Sequence, residues 1–162
     1  MDARTQVWVD RCAASSQPLV ESDLAFIGSA LPAELDVVPT YLHHDLKPGN
    51  AVCENGEVSG LFDLGEGLIG DSLEDLARPT WDLARADPQL ALVFLRSYEA
   101  AARVRVPLDR LRDYVVLDLL VIWEYGRRPA QSWIDEPTFE AWATTFMSPV
   151  MRAIDLARTQ AR

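Results

Sequence analysis

Apolar residues recur at intervals of three and four along most of the chain, which is the spacing that places them on one face of a helix. The longest such face contains Leu111, Val115, Leu119 and Ile122. Helices with a face of this kind are predicted over about residues 4–14, 22–31, 87–103, 108–125 and 137–158. The chain is therefore predicted to be mostly α-helical.

Polar residues predict where some of these helices begin. Ser22 is expected to cap the second helix, because a serine side chain accepts a hydrogen bond from a free backbone N–H of the first turn. Ser72 and Asp75 have the spacing of a capping box, which predicts a further helix from Ser72 onward. The preceding Asp71 is more typical of a structural cap than of a metal ligand.

One stretch departs from the helical pattern and predicts a β-hairpin. Short apolar runs around residues 51–53 and 58–62 flank the dipeptide Asn55-Gly56. Asparagine and glycine tolerate the positive φ angles that a tight type I′ turn requires at both central positions. The predicted fold class is therefore α+β, mostly α with a small β-hairpin.

Composition is typical of a soluble single-domain protein. The 162 residues suit one domain, taken as 1–162, and 49% hydrophobic with 25% charged residues is an ordinary globular composition. The most apolar run, YVVLDLLVIW, is interrupted by Asp118 and is too short to span a bilayer. Cys12 and Cys53 suggest neither a disulfide framework nor a zinc knuckle. We therefore expect a cytoplasmic protein with no membrane partner.

Net charge narrows the class of partner. A value of −10 argues against a nucleic-acid partner, because phosphate backbones are bound by clustered Lys and Arg. An acidic protein attracts cations, which favours a cationic small molecule or a divalent metal ion.

The segment YLHHDLKPGN, residues 41–50, concentrates chemically active side chains just before the hairpin. It contains Asp45 and Asn50, and Asp63 follows the second strand in LFDLGEG. Because a hairpin returns the chain close to where it left, Asn50 and Asp63 are expected at the same edge. Carboxylate and amide oxygens suit Mg²⁺. Taken singly, Asp and Asn are also common turn residues.

His43 and His44 raise the alternative of a zinc site. Adjacent side chains rarely converge on one ion, and the sequence contains no third histidine. Zinc would then need Asp, Glu or Cys ligands, and Cys53 is poorly placed on the hairpin for that role. Zinc is the weakest of the alternatives.

These motifs, in this order, resemble the catalytic core of protein-kinase-like phosphotransferases, especially aminoglycoside phosphotransferases and choline-kinase-type small-molecule kinases. HHDLKPGN is similar to the kinase catalytic loop H-R-D-L-x-x-x-N, and FDLG lies where D-F-G would lie. GLIGDSLEDLA resembles the stretch that follows the metal-binding aspartate in the aminoglycoside branch. The close resemblance covers about residues 41–77, and residues 78–162 resemble the helical subdomain in kind.

The resemblance implies ATP- and Mg²⁺-dependent transfer of the γ-phosphoryl group to a hydroxyl of a small molecule, which can be cationic. It also implies a role for six residues. These are Asp45 as catalytic base, Lys47 as a catalytic group that steadies the transferred phosphate, Asn50 and Asp63 as ligands of Mg²⁺ and thereby of the nucleotide, and His43 and Asp75 as supports of the loop. For Lys47, the alternative of an ordinary exposed loop lysine carries equal weight.

A complete kinase of this type also has an N-terminal lobe with a phosphate-covering loop and a phosphate-binding lysine. Only 40 residues precede Tyr41, they predict helix and loop, and Gly28 is the only glycine before Gly49. The sequence therefore predicts a C-terminal lobe with the N-terminal lobe absent. Two functions follow as alternatives: an active phosphotransferase, or a catalytically inactive remnant that acts as a binding module or needs a partner to supply the N-terminal lobe. An uncovered apolar face would favour self-association or such a partner.

The resemblance places the acceptor pocket among the C-terminal helices. Aromatic and acidic side chains in that region suit an amino or quaternary ammonium group. They are Trp123, Glu124, Trp133, Asp135, Glu136 and Trp142. The alternative is that the tryptophans belong to the core and that the acids are solvated.

Overall fold

The computed structural model describes residues 3–14, 18–30, 38–128, 130–131 and 133–160. The described residues form helices α1 (Ala3–Ala13), α2 (Glu21–Ala30), α3 (Ser72–Ala86), α4 (Pro88–Ala102), α5 (Leu108–Gly126) and α6 (Phe139–Gln160). They also form strands β1 (Thr40–Leu42), β2 (Ala51–Glu54), β3 (Glu57–Leu61) and β4 (Leu68–Gly70). This mostly helical architecture with small antiparallel strand pairs confirms the predicted fold class.

The helix predicted over residues 22–31 begins differently from the expectation. Ser22 lies inside α2, which starts at Glu21, so the predicted cap is wrong. Asp23 provides the side-chain hydrogen bond at the N-terminus of this helix, because its carboxylate accepts the backbone N–H of Val20 at 3.0 Å. The same carboxylate accepts the N–H of Glu140 at 2.8 Å and thereby joins α2 to α6. The expected end of this helix at residue 31 lies outside the described residues.

The start of α3 confirms Asp71 as a structural cap and corrects the prediction for Ser72. The Asp71 carboxylate accepts the N–H of Leu73 at 3.1 Å, while Ser72 is the first helical residue. Arg110 of α5 donates to the same carboxylate. A carboxylate is favoured here because the N-terminus of a helix carries partial positive charge.

The hydrophobic core is centred on α5 and α3. Leu111, Val115 and Leu119 are each 0% exposed, and Ile122 is partly buried, which confirms the predicted apolar face of α5. Full burial of such an aliphatic side chain contributes about 1.5–3 kcal/mol. The contacts hold α3 in place, and α3 carries two of the side chains that reach the loop over residues 43–50.

An aromatic cluster occupies the contact between α5 and α6. Trp123 and Trp142 are 3% and 5% exposed, and their ring centroids lie 5.6 Å apart. Phe139 and Phe146 complete the cluster, with the Trp142 and Phe146 centroids 4.6 Å apart. The two tryptophans therefore belong to the core, which is the second of the two alternatives for these residues. Trp133, by contrast, is half-exposed.

The predicted hairpin is formed by β2 and β3. Glu54 pairs with Glu57, so the loop between the strands is Asn55-Gly56. The φ angles of these two residues are 53° and 84°, both positive as a type I′ turn requires. The hairpin prediction is confirmed.

The pairing of β1 with β4 has no counterpart in the prediction. Each strand has only three residues, and Leu42 lies opposite Leu68, far along the chain. Three residues are too few to show a periodic pattern, so only the folded chain reveals this pair. No helix in the described part of the chain is long and apolar enough to cross a membrane.

Candidate active site

Strand pairing brings two connecting segments side by side. One segment, residues 43–50, joins β1 to β2, and the other, residues 62–67, joins β3 to β4. Because β1 pairs with β4 and β2 with β3, both ends of the two segments are held together. The N–H of Phe62 also donates to the Asn50 carbonyl oxygen at 3.1 Å. We call residues 43–50 the catalytic loop, after the kinase motif that they resemble.

Asp75 of α3 holds the start of the catalytic loop through its backbone. One carboxylate oxygen accepts the N–H of His43 and the other accepts the N–H of His44, both at 2.7 Å. His44 has a φ angle of 66°, a left-handed conformation that a non-glycine residue adopts at an energetic cost. The two charge-assisted hydrogen bonds stabilise this turn of the chain.

His43 links the catalytic loop to the segment that carries Asp63. The imidazole is buried, and its Nε2–H donates to the carbonyl oxygen of Phe62 at 2.9 Å. The Nδ1 atom faces the backbone N–H of Asp45 at 3.4 Å, so it acts as the acceptor in the same tautomer. Both ring nitrogens therefore face partners within the protein.

Asp45 lies at the centre of a group of three donors. Arg78 Nη1 donates to Oδ1 at 2.8 Å, while Oδ2 accepts from Lys47 Nζ at 2.6 Å and from Asn50 Nδ2 at 3.0 Å. The Asp45 side chain is 18% exposed and that of Lys47 is 38% exposed. Lys47 is the only lysine in the sequence. The carboxylate is thus oriented by two cations and one amide.

Asn50 and Asp63 present oxygen atoms at the open end of the hairpin. Asn50 is buried, and its amide nitrogen donates to the Asp45 carbonyl oxygen at 2.9 Å and to the Asp45 carboxylate. Its Oδ1 is thus the atom left to bind a cation. Asp63 is exposed, has a φ angle of 66°, and makes no capping bond to the following 3₁₀ turn. An amide and a carboxylate oxygen fit Mg²⁺, which binds through few protein ligands together with substrate phosphates.

The side chains that a zinc site would need have other positions and partners. The imidazole of His43 is used within the protein, as described above, and Cys53 is exposed on the hairpin. Within the described ranges, no group of three or more His, Cys, Asp or Glu side chains is placed to hold a metal ion. A site with fewer protein ligands, completed by phosphate oxygens, is the arrangement that these residues fit.

The structure adds to the site two charged residues, Arg78 and Asp118, that the sequence does not connect with the loop. Arg78 is 9% exposed and reaches Asp45 from α3. Its Nε and Nη2 atoms donate to the two carboxylate oxygens of Asp118 at 2.7 and 2.9 Å, and the Trp81 indole N–H donates to Asp118 at 2.6 Å. Burial alone would lower the pKa of Arg78, but the carboxylates of Asp118, Asp45 and Asp82 outweigh it and raise that pKa. One signal was visible: Asp118 is the lone charge in the apolar run of α5.

The other acidic residues of the sequence analysis have separate positions. Asp135 is exposed, and Glu136 is intermediate; Glu66, which lies close to Asp63 in the chain, is exposed as well. Glu124, in the last turn of α5, accepts at 2.6 and 3.1 Å from Arg128, which follows the helix. The solvated alternative therefore describes Asp135 better than a role in binding an ammonium group.

Most of the chain matches a known protein family. A family model described as "Phosphotransferase enzyme family" matches residues 5–114, more than half of the chain. The chain belongs to the phosphotransferase enzyme family. The matched range contains the catalytic loop, the hairpin and α3, so the predicted membership is confirmed. A search of curated proteins finds no match.

Solved structures of aminoglycoside phosphotransferase APH(4)-Ia share the fold of this phosphotransferase-family chain. A thermostable mutant in ternary complex with AMP-PNP and hygromycin B has a TM-score of 0.50 at 19% identity, over 94% of this chain and 45% of that chain. Another, with ADP and hygromycin B, has a TM-score of 0.50 at 20% identity with the same coverage. The chain thus spans slightly less than half the length of the structures it matches. Identities this low show the fold alone.

Proposed function

We propose that this chain is the catalytic lobe of an ATP- and Mg²⁺-dependent phosphotransferase that acts on a hydroxyl group of a small molecule. Family membership supports a phosphotransferase in general. The observation that carries the finer proposal is the position of Asp45, whose carboxylate is held by Arg78, Lys47 and Asn50 at the centre of the catalytic loop. A carboxylate fixed in this way can receive the proton of an incoming hydroxyl group.

Phosphoryl transfer depends on placing the reactants and on compensating charge more than on covalent help from the protein. Asp45 would orient the acceptor hydroxyl and take its proton. Lys47, partly exposed beside Asp45, would leave the carboxylate and contact the transferred phosphate. Asn50 Oδ1 and the Asp63 carboxylate would hold Mg²⁺, which when bound compensates the negative charge of the nucleotide phosphates.

We infer that the acceptor approaches from the side of α1 and α5. A small recess of about 10 Å³ beside His44, with room for one water-sized group such as an ammonium, is lined by aromatic rings of Trp8 and Tyr114 and by the carboxylate of Glu74. Aromatic faces and carboxylates suit an amino group. The APH(4)-Ia structures contain hygromycin B, which is in keeping with a small-molecule acceptor. A cationic acceptor is therefore our proposal for this chain.

A second candidate function is supported by an exposed apolar surface on the strands and the adjoining turns. The side chains concerned are between 45% and 65% exposed: Tyr41, Val52, Val58, Leu61, Phe62, Leu64 and Ile69. Such clusters on a protein surface are typical of interaction sites. In this alternative the chain binds a partner or a second copy of itself across this surface, and nucleotide binding depends on that partner.

Calorimetric titration with ATP, with and without Mg²⁺, tests the leading proposal. We expect Mg²⁺-dependent binding that Asp63→Ala removes and that Glu66→Ala, a nearby exposed carboxylate, leaves unchanged. Phosphoryl transfer to amino-alcohol and aminoglycoside acceptors should then be lost in Asp45→Asn with the fold retained. Full turnover in Asp45→Asn would contradict the assignment. A well-folded chain that binds no nucleotide would favour the partner-dependent alternative, and gel filtration would then show whether it self-associates.

A further inference from the structure

We propose that Arg78, anchored on Asp118, is a positioning residue. It keeps Asp45 Oδ1 paired with its guanidinium group and so leaves Oδ2 as the oxygen that receives the acceptor's proton. This inference rests on the proposed function and goes beyond it. It assigns different roles to the two oxygens of one carboxylate. It also gives a function to an arginine and an aspartate that the motif does not include.

The anchoring of Arg78 is the first part of the argument. Three guanidinium nitrogens have partners: Nε and Nη2 contact Asp118 at 2.7 and 2.9 Å, and Nη1 contacts Asp45 at 2.8 Å. The Arg78 guanidinium carbon also lies 5.5 Å from the centre of the Trp81 ring. Because the guanidinium is planar and its donors form a rigid fork, the contact with Asp118 fixes where Nη1 points. Arg78 therefore cannot move without breaking its pairing with Asp118.

Helix α3 places this fork relative to the catalytic loop. Asp75 and Arg78 are three residues apart on α3, a spacing that puts them on the same face of the helix. Asp75 holds the backbone of His43 and His44, and Arg78 holds the side chain of Asp45. One rigid element thus determines both the course of the loop and the rotation of the carboxylate.

The two oxygens of Asp45 differ in how easily their partners can be displaced. Oδ1 is paired with Arg78, whose side chain is 11% exposed, whereas the Lys47 ammonium on Oδ2 belongs to a side chain that is 38% exposed. Removing Arg78 from Oδ1 would leave a buried cation with less compensation, which is costly. Separating the partly exposed Lys47 from the carboxylate costs less, because water can solvate its ammonium group once it has moved. An arriving hydroxyl group would therefore meet Oδ2.

In this arrangement the phosphoryl group and the acceptor's proton move to different groups. The acceptor oxygen forms a bond to the γ-phosphorus of ATP while the bond between that phosphorus and the β–γ bridging oxygen breaks, so that ADP leaves. The proton of the acceptor hydroxyl passes to Asp45 Oδ2. Lys47, displaced from Oδ2, is then free to contact the transferred group.

The amide group of Asn50 provides a test that needs no turnover. Its nitrogen donates to Asp45 Oδ2 and to the Asp45 carbonyl oxygen, so its NMR signals report the orientation of the carboxylate. The sequence contains two asparagines, Asn50 and Asn55, and selective ¹⁵N-asparagine labelling therefore gives two side-chain amide groups to assign. We expect Arg78→Met to shift the Asn50 side-chain signals and to speed their exchange with water.

Controls separate positioning from general destabilisation. Arg110→Met removes another partly buried arginine of an ion pair, the one on Asp71, and should leave the Asn50 signals in place. Asp118→Asn keeps Arg78 but weakens its anchor, so the Asn50 signals should move as in Arg78→Met. This second variant keeps the test decisive if Arg78→Met does not fold. Unshifted Asn50 signals in a folded Arg78→Met or Asp118→Asn variant would overturn the proposal.

Kinetics supply the second readout where the chain transfers phosphate. A carboxylate displaced by about 1 Å is expected to cost about 100-fold in kcat. Arg78→Met should show this loss with the KM for ATP within about twofold of the parent value, because Arg78 does not contact the nucleotide ligands in this scheme. Arg78→Lys, which retains charge without the fork, should recover only part of kcat. A rise of about 100-fold in the KM for ATP with kcat unchanged would contradict a positioning role. A parent chain without turnover would contradict the proposed function, and the Asn50 signals would then still decide the role of Arg78.

Discussion

Replacing Asp75 by alanine should destabilise the catalytic loop by removing two hydrogen bonds at once. The Asp75 carboxylate accepts the N–H groups of His43 and His44 at 2.7 Å each. A hydrogen bond to a charged group contributes about 1.5–3 kcal/mol. Because Asp75 is only partly buried, the lower end of that range applies to each bond. Two such bonds predict a loss of roughly 3 kcal/mol in the free energy of unfolding for Asp75→Ala.

Relaxation of the loop offsets part of this loss. His44 has a φ angle of 66°, and a non-glycine residue in that region costs about 1–3 kcal/mol. Without Asp75, the chain at His44 can return to an ordinary conformation. Taking the lower end of that strain, about 1 kcal/mol, we expect a net loss of about 2 kcal/mol for Asp75→Ala, together with faster amide exchange at His43 and His44.

Asp87→Ala is the matched control for this prediction. Asp87 also accepts a backbone N–H, that of Gln89 at 2.8 Å, but it does so once and on the surface at the start of α4. Loss of such a cap costs about 1 kcal/mol. Urea unfolding followed by far-ultraviolet circular dichroism measures both variants with the same linear extrapolation. An Asp75→Ala variant that loses no more stability than Asp87→Ala, or that retains slow exchange at His43 and His44, would refute the reasoning.

Three further predictions concern other parts of the fold. Burial, assisted by nearby carboxylates, raises the pKa of the Cys12 thiol to about 12, so a thiol reagent at pH 8 should label Cys53 and reach Cys12 only after unfolding; two thiols that react equally fast in the native chain would contradict this. Gly126→Ala should cost about 1–3 kcal/mol, because a Cβ atom would lie 2.5 Å from Ile134 Cδ1, and thermal unfolding measures the loss. Burial alone would raise the pKa of Glu99, but a backbone N–H and neighbouring arginines outweigh it and lower that pKa below 4.5. The stabilisation by Glu99 is then fully present above pH 4.5 and lost as the pH falls through the lower folded-state pKa. The difference in unfolding free energy between the parent chain and Glu99→Gln should therefore shrink in acid. A difference that does not change with pH would contradict the assignment.

Much of the site could be named from the sequence because its parts are local. Asp45 and Asn50 lie on one short loop, and Asp63 follows a hairpin whose Asn55-Gly56 turn is recognisable from residue type. Asp75 is also near in the chain, at the start of α3. The catalytic and metal-binding roles given to these residues remain our proposal, with the experiments above as their test.

Arg78 and Asp118 could not be connected in the same way. They are 40 residues apart and lie on different helices, and neither belongs to the motif. A charged residue on the polar face of a helix has many possible partners, and nothing in its immediate neighbourhood selects one. For Trp123 and Trp142 the sequence left two alternatives open, because aromatic residues suit both a binding pocket and a core, and only their burial in the folded chain decided between them.

The sequence by itself determined which segments are helices, where the hairpin turns, and which loop carries a carboxylate, an amide and a lysine together. These features depend on backbone preferences and on the periodic burial of side chains, which act over a few neighbouring residues. Only the tertiary structure decided which partner each buried charge has, from Asp75 on the loop backbone to Asp118 beneath Arg78. The physical reason is that a buried charge must be compensated, and the packing of α3 against α5 determines which opposite charge lies within reach.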